Sequence, residues 1–302
     1  MDKERGNQAS GILASLGRFL QKCILGVLSA GPIPQHIAFI MDGNRRYAKK
    51  PNLVEGSGHR VGFLALMWIL QHCCELGVKY VTIYAFSIDN FKRSPEEVQS
   101  VMDLMQEKIE GLVEEESIVN RYGVRVHFIG NLELLSRSVR LAADRATAAT
   151  ASNSKAVLSI CIAYTSTGEI THAIQESCQE KCDELKVLDA SGAGYGLIGL
   201  GGIDKNQEED LISVVDIERH MYTAAIPDPD ILIRTSGETR LSNFLLWQTA
   251  YCHLYSPSVL WPEIRFWHLF WAILEYQKKS AYLEARKKIV QAPQLTANSV
   301  PP

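Results

Sequence analysis

His36-Ile37-Ala38-Phe39-Ile40-Met41-Asp42-Gly43-Asn44-Arg45-Arg46-Tyr47-Ala48 is the stretch that decides the fold class. An apolar run of strand length, Ile37–Met41, gives way without a spacer to a carboxylate, a glycine, an amide and two guanidiniums. The same change recurs downstream: Tyr80–Phe86 runs into Ser87-Ile88-Asp89-Asn90, and Ile231–Ile233 into Arg234-Thr235-Ser236-Gly237-Glu238. Val124–Ile129 and Val157–Ala163 are further short strands. Helical stretches alternate with them: His59–Leu76, Glu96–Val119, Ser136–Thr150, Ser166–Cys182 and Phe266–Lys288. Ser94, Pro95 and Glu97 give one of these the entry chemistry of a helix. Strand-then-helix order predicts an α/β fold, a central, mainly parallel sheet flanked by helices. In such a sheet the carboxyl ends of the strands line one crevice, so the polar segments converge there.

That crevice would combine carboxylates, arginines, an asparagine, hydroxyls and glycines, which suits an anionic ligand chelated to a metal. Asp42 offers a hard oxygen ligand beside the backbone of Gly43 and Asn44 and the guanidiniums of Arg45 and Arg46. A diphosphate with magnesium needs both signs, although a solvated turn is the plain alternative. His59, in Gly56-Ser57-Gly58-His59, stands where a helix begins and is suited to donate to phosphate or to serve in packing. Arg234, Arg240 and Ser242 supply two guanidiniums and a hydroxyl for a second phosphate group, with surface pairing to Glu238 as the bland alternative. Asn90 has an amide that can orient a water or a substrate group beside Asp89, with Phe91 and Arg93 following at once.

The chain of 302 residues, 46% hydrophobic and 22% charged, is long enough for one large domain, and no linker divides it. A net charge of −3 gives no electrostatic reason to expect nucleic acid as a partner. Seven cysteines without paired metal-ligand spacing read as reduced thiols; Cys73-Cys74 and Cys178/Cys182 read as buried or half-buried packing on helices. Residues 1–33 contain an amphipathic helix, with Ile12, Leu16, Phe19, Leu20, Cys23, Ile24 and Val27 on one face and Ser15, Arg18 and Lys22 on the other. It is too short and too charged to span a bilayer, so it either lies in a membrane interface or packs against protein. Gly192-Ala193-Gly194-Tyr195-Gly196 lacks the strand-to-helix context of a dinucleotide fingerprint and reads as part of a flexible insert over about 183–211. Trp261-Pro262-Glu263 and the Phe266–Trp271 aromatics read as core or subunit interface.

Three ordered motifs carry a family resemblance: His36 to Ala48, then Tyr84-Ala85-Phe86-Ser87-Ile88-Asp89-Asn90-Phe91, then Asp230 to Gln248. Together they resemble the cis-prenyltransferases, in their eukaryotic, plant-like branch, over about residues 34 to 285. The resemblance implies a catalytic domain over 34–290 with a hydrophobic product tunnel, and a disordered tail over 291–302. It implies condensation of isopentenyl diphosphate onto farnesyl diphosphate or a similar allylic diphosphate with Z geometry, giving a long polyprenyl diphosphate such as dehydrodolichyl diphosphate. Asp42 would hold Mg2+ on the allylic diphosphate, and Gly43, Asn44, Arg45, Arg46, Tyr47, His59 and Arg93 would surround that group. Arg234, Arg240, Leu241 and Ser242 would bind isopentenyl diphosphate; Ser87, Ile88, Asp89, Asn90 and Phe91 would arrange both substrates, with Asn90 assisting proton loss.

Two departures stand out. The bacterial enzymes have a second acidic metal ligand where this chain has His253, and an arginine where it has Glu55. Residues 291–302 also lack the Arg-x-Gly that members active alone carry. The resemblance therefore implies the catalytic half of a heteromer with a Nogo-B receptor-like subunit, peripheral on the cytoplasmic face of the endoplasmic reticulum. Rubber-type or short-chain transferase, non-catalytic accessory subunit, nucleotide-dependent oxidoreductase and membrane-peripheral interaction protein are the competing readings.

Overall fold

Strand β1 (His36–Ile40) is buried along its whole length, as expected of a strand covered on both faces. Its side chains alternate: Ile37 and Phe39 join the larger core, Ala38 and Ile40 the smaller one. The computed structural model describes residues 24–50, 57–114, 116–190 and 212–297. Within them lie β2 (Tyr80–Ser87), β3 (Val124–Ile129), β4 (Ala156–Tyr164), β5 (Ile231–Arg234) and β6 (His253–Tyr255). The helices are α1 (Asn44–Ala48), α2 (Ser57–Leu76), α3 (Pro95–Leu112), α4 (Ile118–Tyr122), α5 (Arg137–Ala149), α6 (Ser166–Ala190), α7 (Val214–Arg219) and α8 (Phe266–Ala297). The six strands form one sheet in the order β3-β4-β2-β1-β5-β6, and every pairing is parallel. Helices α2, α3, α5 and α8 contribute to the larger core on one side of the sheet. On the other side Phe244 and Leu245 close over Ala38, Ile40, Cys161 and Leu232.

The chain leaves β1 toward β2 on one side and returns as β5 on the other. The order therefore reverses at the β1–β5 seam, the position at which open α/β sheets bind ligands. Buried polar groups fix the start of this seam. The Asp230 carboxylate accepts from the amides of Gln35 (2.6 Å) and His36 (3.0 Å). The His36 ring donates from Nδ1 to the Pro227 carbonyl (2.6 Å) and accepts at Nε2 from the Thr82 hydroxyl (2.7 Å). Burial holds this imidazole neutral, with its pKa lowered to about 4.

Several boundaries differ from the sequence reading. Glu96–Val119 is not one helix: α3 stops at Leu112, and α4 starts after Ser117, whose side chain accepts from the Asn120 amide. The Asn120 side chain then donates to the carbonyls of Val113 (3.2 Å) and Glu114 (2.9 Å), satisfying the frayed end. Helix α6 runs on to Ala190, into the segment read as a flexible insert, and α8 runs to Ala297, into the segment read as a tail. Strand β6 has no counterpart in the sequence reading. Cys73 is buried and Cys74 half-buried, but Cys178 and Cys182 are exposed rather than packed. The N-terminal amphipathic helix before Ile24 and the glycine-rich run lie outside the described residues.

Candidate active site

The turn after β1 and the loop after β5 meet at the seam. Arg234, nearly enclosed, donates through Nη2 to Asp42 Oδ2 at 2.7 Å. Through Nη1 it donates to the Arg240 carbonyl (2.5 Å) and to the Ser242 hydroxyl (2.6 Å). The guanidinium thus ties the β1 turn to two points of the loop that follows β5. Thr235 donates from its hydroxyl to the Asp42 carbonyl at 2.7 Å. Arg46, one turn along α1 from Asp42, lies 3.5 Å from Asp42 Oδ1, 3.9 Å from Glu238, and donates to the Ser236 hydroxyl.

Gly43 caps α1 with φ at 111°. A side chain there would be strained, and its Cβ would press on Leu260 at 2.9 Å. Trp261 ties the turn to α2: its amide donates to the Asp42 carbonyl (2.9 Å) and its indole to the Gly62 carbonyl (2.8 Å). A Cβ on Gly62 would stand 2.4 Å from Asn44 Oδ1 and 3.1 Å from the Trp261 ring, so that glycine is where α2 and the turn touch. Asn44 donates to the Met41 carbonyl (3.2 Å), leaving its buried Oδ1 without a partner.

The loop from Arg234 to Gln248 is held in an uncommon shape, with Ser236, Ser242, Asn243 and Leu245 at positive φ. Its supports come from β2, β4 and α6. Tyr84 stacks on Phe244 with ring centroids 4.5 Å apart. The Ser166 amide donates to the Asn243 carbonyl (2.8 Å), and the Ser166 hydroxyl accepts from the Leu246 amide (2.8 Å). The buried Glu169 carboxylate accepts from the Tyr164 hydroxyl (2.5 Å), the Thr223 amide (2.9 Å) and hydroxyl (2.8 Å), and Gln248 (3.0 Å).

A cavity of about 420 Å³ opens from this rim. Asp42, Gly43, Asn44, Arg45, Arg46, His59, Ser87, Asn90, Arg93, Arg234 and Ser242 line its polar end. Its body is mainly apolar, with Phe63 and Leu66 from α2, Val101, Met105 and Leu112 from α3, and Ile162, Ile160 and Leu158 from β4, and with Lys108 of α3 lying over the Phe63 ring. Those three β4 residues alternate along the strand, so the wall descends about 13 Å from Ile162 to Leu158. His59 is held below its ordinary pKa by burial and by the charges of Arg93 and Arg45, so near neutrality it faces the cavity as an uncharged ring.

Not every residue named from sequence faces this space. Ser87 accepts from the Asp89 amide (3.1 Å) and Asn90 Oδ1 accepts from the Ser87 amide (3.1 Å), which turns Asn90 inward. Asp89 points out to Lys92 at 2.6 Å. Phe91 packs edge-on against Phe86 with ring centroids 5.0 Å apart, and Ile88 lies beside Gly168. Tyr47 lies under Lys50, Leu241 packs against the smaller core, and exposed Arg240 pairs with Glu238. His253 opens β6 opposite Ile231, at the end of the sheet away from Asp42. It is buried, 3.7 Å from Glu275, and its Nε2 makes no hydrogen bond. Trp261, Gly62 and Thr235, by contrast, carry no local sequence signal of a site role, because their contacts with the turn are tertiary.

Among the described residues no group of three or more His, Cys, Asp or Glu is placed to hold a metal. One carboxylate beside a diphosphate still fits magnesium, which keeps several waters and binds through one or two carboxylates plus phosphate oxygens. Asp42 Oδ1 is a hard oxygen donor at the rim, whereas the orphaned Asn44 Oδ1 is buried where the turn meets Gly62 of α2.

The profile of a family described as putative undecaprenyl diphosphate synthase matches residues 40–283. The chain is 59% identical over 288 residues to a Solanum lycopersicum protein named dehydrodolichyl diphosphate synthase CPT3, covering 95% of this chain and 99% of that one. It is 43% identical over 258 residues to the Homo sapiens dehydrodolichyl diphosphate synthase complex subunit DHDDS, covering 85% of this chain and 71% of that one. The crystal structure of lavandulyl diphosphate synthase from Lavandula x intermedia, in complex with dimethylallyl diphosphate, superposes with a TM-score of 0.66 at 27% identity, covering 81% of this chain and 95% of that one.

Proposed function

The chain belongs to the undecaprenyl diphosphate synthase family of cis-prenyltransferases, and on that premise we propose how its crevice makes a polyprenyl diphosphate. The observation that carries the reading is the 2.7 Å pairing of Asp42 with Arg234 at the mouth of an apolar cavity. Two anionic head groups side by side need this mixture of signs, and a growing prenyl chain needs the apolar body behind it.

The allylic substrate, farnesyl diphosphate or a close relative, places its diphosphate over Gly43, Asn44, Arg45 and Arg46, with His59 and Arg93 beside it. Isopentenyl diphosphate is held by Arg234 and Ser242, which line the cavity, and by Arg240 once its exposed side chain turns from Glu238 toward the rim. Asp42 would hold Mg2+, which supplies charge stabilisation for a departing diphosphate when bound. The allylic C–O bond breaks and the diphosphate leaves with the electron pair, against the guanidiniums of Arg45 and Arg46. The terminal methylene of the isopentenyl double bond attacks the allylic carbon, leaving the cation on the methyl-bearing carbon. The methylene between that carbon and the diphosphate-bearing carbon then loses a proton to give a Z double bond. Asn90, turned inward by Ser87, orients the group that takes this proton. No side-chain nucleophile is required.

The chain acts as the catalytic subunit of a heteromer with an accessory subunit resembling the Nogo-B receptor, a reading supported by the word "complex" in the human relative's name. It works on the cytoplasmic face of the endoplasmic reticulum, held to the membrane surface by its N-terminal helix. The test is to express the chain with and without an accessory subunit, supply farnesyl diphosphate and labelled isopentenyl diphosphate with Mg2+, and determine product size and double-bond geometry. Long Z-polyprenyl diphosphates are expected. Products with new E bonds, or none in either setting, would refute the reading.

A further inference from the structure

Helix α8 buries Leu269, Ala272, Ile273, Tyr276 and Ser280, and the opposite side of such a helix is ordinarily polar. Here it is not. Trp267, Trp271, Leu274, Lys278, Tyr282 and Ile289 recur at helical spacing on the outward side, and Trp267, Trp271, Tyr282 and Ile289 are 53%, 49%, 65% and 66% exposed. The indoles are firmly backed by a run of ring contacts that starts on α2. Trp68 meets His72 at 3.9 Å, His72 meets Phe266 at 5.7 Å, Trp267 meets Phe270 at 5.7 Å, and Phe270 meets Trp271 at 5.2 Å. Lys278 is the charged residue among the six outward positions, and the Arg286 guanidinium lies 5.9 Å from the Tyr282 ring centre.

Tryptophan and tyrosine, amphipathic rings that favour the headgroup level of a bilayer, stand here with cations that favour anionic lipid. Two neighbours point the same way. The Gln277 side chain donates to the Leu28 carbonyl at 2.8 Å, so the chain leading to residues 12–23 departs beside α8, with Val27 72% exposed. Helix α8 also shares its side of the sheet with α2 and α3, which wall the cavity. Among the described residues no helix is long and apolar enough to cross a membrane, so contact through this face would be at the surface. We propose that the outward face of α8 is a bilayer-contact surface, its indoles seated among the headgroups of an anionic membrane. This rests on the membrane association proposed above and gives it a second site, distinct from the N-terminal helix.

The test compares the full-length chain, the double variant W267S/W271S and a chain lacking residues 1–23. Each is sedimented with phosphatidylcholine vesicles with or without phosphatidylserine, and with vesicles carrying brominated acyl chains that quench indole fluorescence. Thermal melting and incorporation in detergent serve as controls for W267S/W271S and are expected to match the parent. Loss of about tenfold in partitioning to phosphatidylserine vesicles by W267S/W271S, with loss of quenching, is the expected result. Unchanged partitioning with unquenched indoles in the parent would overturn the surface, and if removal of residues 1–23 alone abolished binding, the N-terminal reading would survive it. Unchanged partitioning with failure to pair with a second copy or an accessory subunit would make the face a protein interface and also overturn it. No sedimentation of the parent with either vesicle would refute membrane association altogether.

Discussion

Two side chains illustrate how much of this enzyme rests on single buried groups. His36 opens the seam strand and is satisfied only as a neutral ring. Its pKa is lowered to about 4 in the folded chain against the ordinary 6.5. Below pH 6.5 the unfolded chain therefore takes up a proton that the folded chain refuses, so stability falls as pH drops toward 4. Between pH 7 and 5 this group alone should cost about 2 kcal/mol, and urea unfolding of His36→Gln should show a pH dependence weaker by that amount. An identical dependence would show that His36 is not the sensor. Trp261 is the second case, since its indole N–H holds α2 against the turn that carries Asp42 and Asn44. Trp261→Phe keeps a ring and loses that donor. We expect KM for the allylic diphosphate to rise about tenfold while KM for isopentenyl diphosphate hardly changes, with the melting temperature lowered by a few degrees for the lost volume and donor. Equal rises in both KM values would mark a general packing defect instead.

At the scale of elements, the contact between α1 and α2 is decided by a missing side chain. Alanine in place of an interior helical glycine ordinarily adds about 0.5–1 kcal/mol of stability. Gly111, with open space around the position of its Cβ, should follow that rule. Gly62→Ala should not, because the new methyl would meet Asn44 Oδ1 at 2.4 Å. Calorimetry should show Gly111→Ala as stabilising or neutral, and steady-state assays should show Gly62→Ala down by at least about tenfold in kcat/KM for the allylic substrate. Full activity of Gly62→Ala would mean that this contact is slack. How far such elements were legible in the sequence varied with the kind of signal. The turn after β1 was plain because an apolar run ends abruptly in charge. The break after Leu112 was hidden because the apolar spacing continues through Val113 and Val119, and what stops the helix is the Asn120 side chain capping Val113 and Glu114. Strand β6 was hidden because three residues are too few to show a period. The Trp261–Gly62 bond joins residues far apart in the chain and leaves no local trace.

Across the whole molecule, one parallel sheet brings polar turns to its carboxyl edge while its flanking helices and strand β4 form an apolar pocket behind them. The convergence was legible from the order of strands and helices; the floor of the cavity was not, because depth depends on packing. Leu158 and Leu112 stand furthest from the rim on β4 and α3. Leu158→Phe should shift product chains shorter, leaving KM for farnesyl diphosphate within about twofold, as read by sizing the dephosphorylated products. An unchanged distribution would place the chain elsewhere. The central claim concerns the other end, where Asp42 and Arg234 meet across the β1–β5 seam. Its most direct test is a titration of farnesyl diphosphate binding against Mg2+, with incorporation of labelled isopentenyl diphosphate measured in parallel, for the parent chain and Asp42→Ala. The account predicts binding that strengthens with Mg2+ in the parent, no such dependence in the variant, and incorporation lowered by at least about a hundredfold. Mg2+-dependent binding and undiminished incorporation in Asp42→Ala would contradict it.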